Sequence, residues 1–340
     1  MRAVWLTGHG GPDSFKVRET PDPVPAAGQA RLRVRAAGVN FAELMASQGL
    51  YPDAPPVPCI LGYEAAGTID AVGPGAPQDL IGRRVVAFSR FGAHSDVMCV
   101  DPRSTVSMPD SMPFEEGAAL PVNYLTAYHM LFHVAVLRPR ESVLVHMAAG
   151  GVGIAALQLC RSVDGVLTFG TASAAKHSAI RAQGCTYPID YRTMDYAAEV
   201  RRLSNGAGVD ISLNALGGDS LTKDYGLLKP AGRLVSYGFS SLVSGPRRNL
   251  LRVLSQLRAI PKFNPMKLFN HNRAVAGVNT LHLYDRVPAL LPEQLGAVIK
   301  LYEQGVIGPV IDQTVPFANA PLAFKRLQEG KNIGKVLLVP

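Results

Sequence analysis

The run Ser142-Val143-Leu144-Val145-His146-Met147-Ala148-Ala149-Gly150-Gly151-Val152-Gly153 decides the fold. Its first half is a continuous strand of the kind that parallel sheets bury on both faces. Its second half is a glycine-rich turn, and Ile154 to Val163 continues as a helix. The turn matches G-x-G-x-x-G with Ala148 in place of the first glycine. Gly150 lets backbone approach a pyrophosphate, and Gly153 lets helix and strand pack closely. Free N–H groups and the positive end of the helix dipole then face the phosphates. Ala149, Gly150, Gly151, Val152 and Gly153 are the candidate phosphate-binding residues. A glycine cluster alone is a weak signal; set between a buried strand and a helix it is a strong one.

Downstream, strand and helix alternate. Val166–Phe169, Thr186–Ile189, Val209–Leu213 and Arg233–Ser236 read as strands, with helices at Ala174–Gln183, Tyr196–Leu203 and Leu221–Leu228 between them. Ala274–Val278 reads as a last strand. Such alternation predicts a doubly wound parallel sheet, the Rossmann arrangement. An NAD site usually carries an acid at the end of the second strand, bonding the ribose 2′-OH. Here the strand runs out through Gly170-Thr171-Ala172-Ser173-Ala174-Ala175-Lys176, with no acid. Thr171 and Ser173 offer hydroxyls, and Lys176 offers a cation to a 2′-phosphate. The expected cofactor is therefore NADPH. The alternative is that Lys176 is only a solvated helix residue.

Upstream, the first 121 residues read as mostly β. Ala30-Arg31-Leu32-Arg33-Val34-Arg35-Ala36 alternates with period 2, and short apolar runs are bounded by Gly73, Gly75 and Gly82. Proline crowds the loops, which suits a small barrel-like domain. Three segments follow: 1–121, a mostly-β catalytic domain; 122–282, the cofactor domain; and 283–340, a return to the first. At 340 residues and 47% hydrophobic the chain suits two globular domains. No apolar run is long enough to span a bilayer and no signal peptide is visible, so the expected location is cytoplasmic. Cys59, Cys99, Cys160 and Cys185 contain no C-x-x-C pair, which excludes the usual structural zinc signatures and suits four reduced thiols.

Several stretches carry a family resemblance over essentially the whole chain. They include Gly38-Val39-Asn40-Phe41-Ala42-Glu43-Leu44, Gly49-Leu50-Tyr51-Pro52, Leu61-Gly62-Tyr63-Glu64-Ala65-Ala66-Gly67, Pro121-Val122-Asn123-Tyr124 and Asn214-Ala215-Leu216-Gly217-Gly218. In these the chain resembles the zinc-free quinone oxidoreductase branch of the medium-chain dehydrogenase/reductase superfamily. Pro188-Ile189-Asp190-Tyr191, Gly245-Pro246-Arg247-Arg248-Asn249-Leu250 and the tail Lys331 to Pro340 are similar to the synaptic vesicle membrane (vesicle amine transport) group within it.

The resemblance implies a GroES-like domain, a Rossmann domain and a site in the cleft joining them. It implies that Thr126 touches the nicotinamide end, and that Ser173, Lys176 and Tyr191 surround the 2′-phosphate. Asn214, Gly238 and Phe239 would flank the ribose, and Asn332 and Lys335 would close the site. Zinc-dependent relatives carry a Cys and a G-H-E triplet where this chain has Asn40-Phe41 and Tyr63, so no metal is expected. Hydride would pass from the cofactor to a quinone or enone, and a donor would meet the oxygen that gains charge. Tyr51 is the first candidate, because related enoyl reductases place a tyrosine in the equivalent loop; Asn40 is the second and Tyr63 the third. Against these roles, Tyr51 could simply pack its ring, Asn40 bond its own backbone, and Tyr63 fill space.

Two other functions compete with a quinone or enone reductase. One is an enoyl-thioester reductase; the other is an NADPH-binding regulatory or membrane-associated protein with little turnover. The net charge of +8 comes from one region: Tyr225 to Tyr284 holds nine basic residues and no acid, leaving 25 basic and 26 acidic residues elsewhere. Within it, 245–271 combines leucines at helical spacing with Arg252, Arg258 and Lys262. It reads either as a lid or dimer-flanking insertion, the favoured reading, or as a weak membrane-surface contact. No nucleic-acid motif is visible, and no nucleic-acid partner is expected. Ala274–Val278 reads as a free sheet edge able to pair across a two-fold axis into a homodimer.

Overall fold

The computed structural model describes every residue from Met1 to Pro340 except Ser244, Pro246 and Arg247. The 245–271 motif therefore lies partly outside the described residues. The chain divides into two compact units, the first holding Met1–Leu125, Gly245–Arg248 and Thr280–Pro340 and the second the remainder.

The second unit is built on a six-stranded sheet in which all neighbours run parallel. From one edge to the other the strands are Tyr187–Asp190, Leu167–Ala172, Ser142–Val145, Val209–Asn214, Leu228–Ser236 and Ala274–Gly277. Numbered along the chain, this is the order 3-2-1-4-5-6 of a doubly wound sheet, with its switch point where Ser142–Val145 meets Val209–Asn214. All four residues of Ser142–Val145 are buried, as a strand covered on both faces requires. The helix Gly151–Arg161 buries every residue from Gly153 through Cys160. The helix Tyr196–Leu203 starts at Asp195, whose carboxylate accepts from the N–H groups of Ala197 and Ala198. Leu144, Phe169, Ile189, Val200, Val209 and Leu234 pack into one core.

In this unit the basic segment forms two short helices, Leu250–Arg258 and Pro265–His271. Leu251 is 82% exposed and Phe269 75% exposed, and Leu250, Leu254 and Leu257 also face solvent. The leucine stripe of the first of these helices is thus exposed in the single chain. No helix in them is long and apolar enough to cross a membrane.

The first unit is mostly β. Its larger sheet runs Ile311–Pro316, Lys335–Val339, Ala30–Val39, Glu64–Val72, Arg84–Phe88, Thr105–Ser107, with Val97–Val100 also pairing on Ala30–Val39. A smaller sheet joins Phe15–Glu19, Arg2–Leu6 and Cys59–Ile60. Ala30–Val39 alternates inward and outward only to Arg35, and from Ala36 onward every residue is buried. At that end the last strand of the chain pairs with it, Val336 opposite Val39 and Leu337 opposite Gly38. This pairing brings Lys335 beside residues almost 300 positions earlier.

Candidate functional site

The cradle in the second unit begins where Ser142–Val145 ends. Gly150 is the residue before the helix Gly151–Arg161, in extended conformation. The first helical bond runs from Ile154 N to Gly150 O. The N–H groups of Gly151, Val152 and Gly153 therefore have no carbonyl one turn back, and they form the anion-facing end of the helix. A Cβ on Gly153 would lie 2.6 Å from Ala148 Cα and would strike Met147 O, so only glycine permits this approach of helix to strand. These residues fit a dinucleotide pyrophosphate.

The neighbouring strand ends at Thr171 and Ala172, and Ser173 follows, 9% exposed, ahead of the single turn Ala174–Lys176. Lys176 is half-buried, and Tyr191, directly after Tyr187–Asp190, is exposed. Asn214 ends the strand Val209–Asn214. It is fully buried, and its Oδ1 accepts from Leu216 N and Gly217 N at 3.0 and 2.8 Å. Its amide donates to Ser220 and Asp224. The side chain shapes the loop and has no donor left for a ribose. Gly238 is pressed against Ala215, and the half-exposed Phe239 ring lies over Gly217. Thr126, buried on the helix Pro121–Tyr128, is the first residue of this unit.

The first unit gathers a different set. Glu64 and Glu43 are fully buried, and Lys335 is 3% exposed. Lys335 Nζ donates to Glu64 Oε1 and, at 2.6 Å, to Asn40 Oδ1. Asn40 Nδ2 donates to Glu64 at 3.0 Å, and Glu64 Oε2 also accepts from Val122 N at 2.7 Å. Glu43 reaches back to accept from the Asn40 backbone N–H, closing the start of the helix Phe41–Ser47. A side chain on Gly38 would collide with both Glu64 and Lys335, so the ion pair depends on that glycine. Asn40 donates its amide to Glu64, and Lys335, expected to close the site from the tail, neutralises Glu64. Asn332 bonds Gly334 O in the same tail.

Beside the cluster, Tyr51 and Tyr63 meet edge to face with ring centroids 6.4 Å apart, and Phe91 closes on Tyr63 at 5.4 Å. Burial raises both phenols above their ordinary value. Tyr63 Oη is buried without a hydrogen-bond partner among the described residues, whereas Tyr51 is partly exposed. Two groups absent from the expected site belong here. Glu43 is pushed up to about 8 by burial, and His94 is lowered to about 4 by burial. Acids set within otherwise apolar stretches, Gly38–Leu44 and Leu61–Gly67, are the signal that marks Glu43 and Glu64.

Comparison with known proteins agrees with this arrangement. Residues 26–110 match the alcohol dehydrogenase GroES-like domain, and residues 183–338 match the zinc-binding dehydrogenase family. The synaptic vesicle membrane protein VAT-1 homolog of Mus musculus is 47% identical over all of this chain and 84% of its own length. The chain belongs to the VAT-1 homologues of the medium-chain dehydrogenase/reductase superfamily. Among solved structures of that superfamily, the Escherichia coli quinone oxidoreductase complexed with NADPH superposes with a TM-score of 0.87 at 28% identity, covering 100% of both chains. The CurK enoyl reductase superposes at 0.84 and 27%, covering 99% of this chain and 98% of its own. The chain is thus an oxidoreductase-family member with a dinucleotide-binding domain. The zinc of the matched family's name does not fit it. Among the described residues no group of three or more His, Cys, Asp or Glu is placed to hold a metal ion, and Asn40 and Tyr63 are groups that bind zinc poorly.

Proposed function

We propose that this chain is a zinc-independent, NADPH-dependent reductase of quinones or α,β-unsaturated carbonyl compounds. The observation that carries the reading is the second strand's end. Ser173 and Lys176 follow Thr171 with no carboxylate among them, beside the glycine turn that fits a pyrophosphate. A cation and the Ser173 hydroxyl there favour a 2′-phosphate that an acid would repel; the buried Thr171 hydroxyl is taken by His146 Nδ1. Reduced nicotinamide supplies the hydride when bound.

The residues of the first unit then supply polarisation. Charge builds on the substrate oxygen as hydride arrives at carbon, and a neutral donor aimed at that oxygen lowers the barrier. Tyr51 takes this part: its phenol is partly exposed, and burial raises it above its ordinary value, so it carries its proton at neutral pH. Tyr63, more deeply buried, packs behind it.

Calorimetry tests the cofactor choice. Lys176→Ala should weaken NADPH about tenfold and leave NADH nearly unchanged, the loss of one charge-assisted bond. If wild-type protein holds NADH as tightly as NADPH, or holds neither, the reading fails. NADPH oxidation with 1,2- and 1,4-quinones, short enones and enoyl-CoA identifies the acceptor class, and turnover of enoyl-CoA alone would assign the chain to the thioester reductases. Tyr51→Phe should lower kcat by about tenfold or more; a fall of less than about twofold removes the donor role. Four free cysteines fit the reducing cytoplasm. The open edge at Ala274–Gly277 fits a homodimer.

A further inference from the structure

We propose that Asp224 and His146 are positioning residues for the cofactor cradle, a buried hub that fixes three strand ends in the geometry a dinucleotide needs. The proposal rests on the dinucleotide-binding reading of the second unit and adds a device that no motif in the sequence announces.

Asp224 lies on the helix Ser220–Leu227 and is fully buried. Its carboxylate accepts from Tyr196 Oη at 2.8 Å, Ser212 Oγ at 2.7 Å and Asn214 Nδ2 at 2.7 Å. His146 Nε2 sits 3.1 and 2.9 Å from its two oxygens. A carboxylate only accepts, so the ring proton is on Nε2. His146 Nδ1 then meets Thr171 Oγ1 at 3.2 Å. Burial alone would raise the Asp224 carboxyl, but His146 and the donors from Asn214 and Ser212 hold it below its usual range.

Apart from Tyr196, which starts the helix Tyr196–Leu203, every group tied to the hub sits at a cradle element. His146 directly follows Ser142–Val145 and precedes the glycine turn. Thr171 is near the end of Leu167–Ala172, two residues before Ser173. Ser212 and Asn214 lie on Val209–Asn214, and Asn214 also ties down the loop through Gly217. These three strands are neighbours at the switch point of the sheet.

A second observation points to the same place. Met147, between the hub and the turn, has φ of 51°, a left-handed conformation that a non-glycine residue rarely adopts. Strain of that kind persists only where the flanks are held. His146, anchored on both ring nitrogens, holds one flank. A buried carboxylate is a costly way to fill space, since apolar side chains of the same volume pack there without desolvation. Its placement makes sense as geometry: one acceptor sets the spacing of the pyrophosphate turn, the 2′-phosphate strand and the adjoining loop.

The test combines binding, kinetics and amide exchange. His146→Leu removes the link while leaving three donors on Asp224. It should raise both the Kd and the KM for NADPH about tenfold, with kcat at saturating NADPH within about threefold of wild type, because the hub touches no reacting atom. Amide exchange should quicken across Met147 to Gly153 and at Ser173, but not in the helix Tyr196–Leu203. His146→Gln, whose amide again donates to Asp224, should recover most of the affinity. A His146→Leu protein that binds NADPH within about twofold of wild type, with unchanged exchange in the turn, overturns the proposal. Should His146→Leu not fold, Thr171→Val reads the same link from the other side: faster exchange in the turn supports the hub and unchanged exchange overturns it. Failure of wild-type protein to bind any dinucleotide would instead sink the cofactor reading, and exchange in the turn would still judge the hub.

Discussion

Glu43 and His94 stand 3.7 Å apart in a fully buried setting, yet they are not an ion pair at neutral pH. Burial keeps the proton on Glu43 up to about pH 8 and keeps it off His94 down to about pH 4. The two act oppositely on stability. A histidine lowered from 6.5 contributes stability that is present above pH 6.5 and is lost as pH falls toward 4. An acid raised from 4.5 contributes stability that is present below pH 4.5 and is lost as pH rises toward 8. From pH 4.5 to 6.5 the slopes offset; from 6.5 to 8 only that of Glu43 remains, at most about 1.4 kcal/mol per pH unit. Tm of the first unit should therefore fall between pH 6.5 and 8 in wild type and stay nearly flat in Glu43→Gln, by calorimetric scans at each pH. Equal slopes would show that Glu43 is ionised throughout. This cluster was only half legible in the sequence. Asn40 and Lys335 stood out through family likeness, but their actual partner, Glu64, is 24 positions from one and 271 from the other. Periodicity reports which face a residue takes, not which distant charge it meets there. The same distance hid His146 from Asp224, 78 residues away.

Among elements, the strand–turn–helix from Ser142 to Arg161 was the most readable because every constraint on it is local. A four-residue buried strand must be apolar or bond its polar groups, as Ser142 does with Asp210, and the helix start must lack a Cβ where it crosses Met147 and Ala148. Gly153→Ala tests that crossing. The new methyl would meet backbone atoms, which cannot rotate away, so strand and helix must separate. The variant should lose about 1–3 kcal/mol of stability, the usual penalty of overpacking, and its NADPH affinity should drop with it. Denaturant titration with calorimetry checks both; a stable variant that binds normally would mean the turn has slack. The basic segment shows the opposite case. Leu250, Leu254 and Leu257 have the spacing of a buried face, yet all three are exposed in the single chain. Helical periodicity indicates that a face exists and says nothing of what lies against it. The π-helical turn His129–Val134 was likewise unreadable, since one extra residue per turn leaves no compositional mark.

At the scale of the whole molecule, the doubly wound sheet ends in an unprotected strand. Ala274–Gly277 bonds Leu228–Ser236 on one side and has no strand on the other among the described residues. Val278 N bonds Ser236 O, so by alternation the N–H groups of Val275 and Gly277 point outward. Native sheets rarely leave such groups to water without charge, proline or a cover. The residues of this strand are small and uncharged. A two-fold axis beside it would pair the strand with its own copy, antiparallel, and continue the sheet across two chains. Val275→Pro removes an outward donor and no bond inside the sheet, so it should shift the protein from dimer to monomer in sedimentation velocity. The side chain of Val275 also packs on the core of this unit, and its loss alone must be separated from loss of the donor. Val275→Ala supplies that control: it gives up packing, keeps its N–H and should remain a dimer. If Val275→Pro sediments with the same mass as wild type, chains associate through another surface or not at all. If Val275→Ala also falls apart, the valine side chain rather than the strand edge holds the copies together.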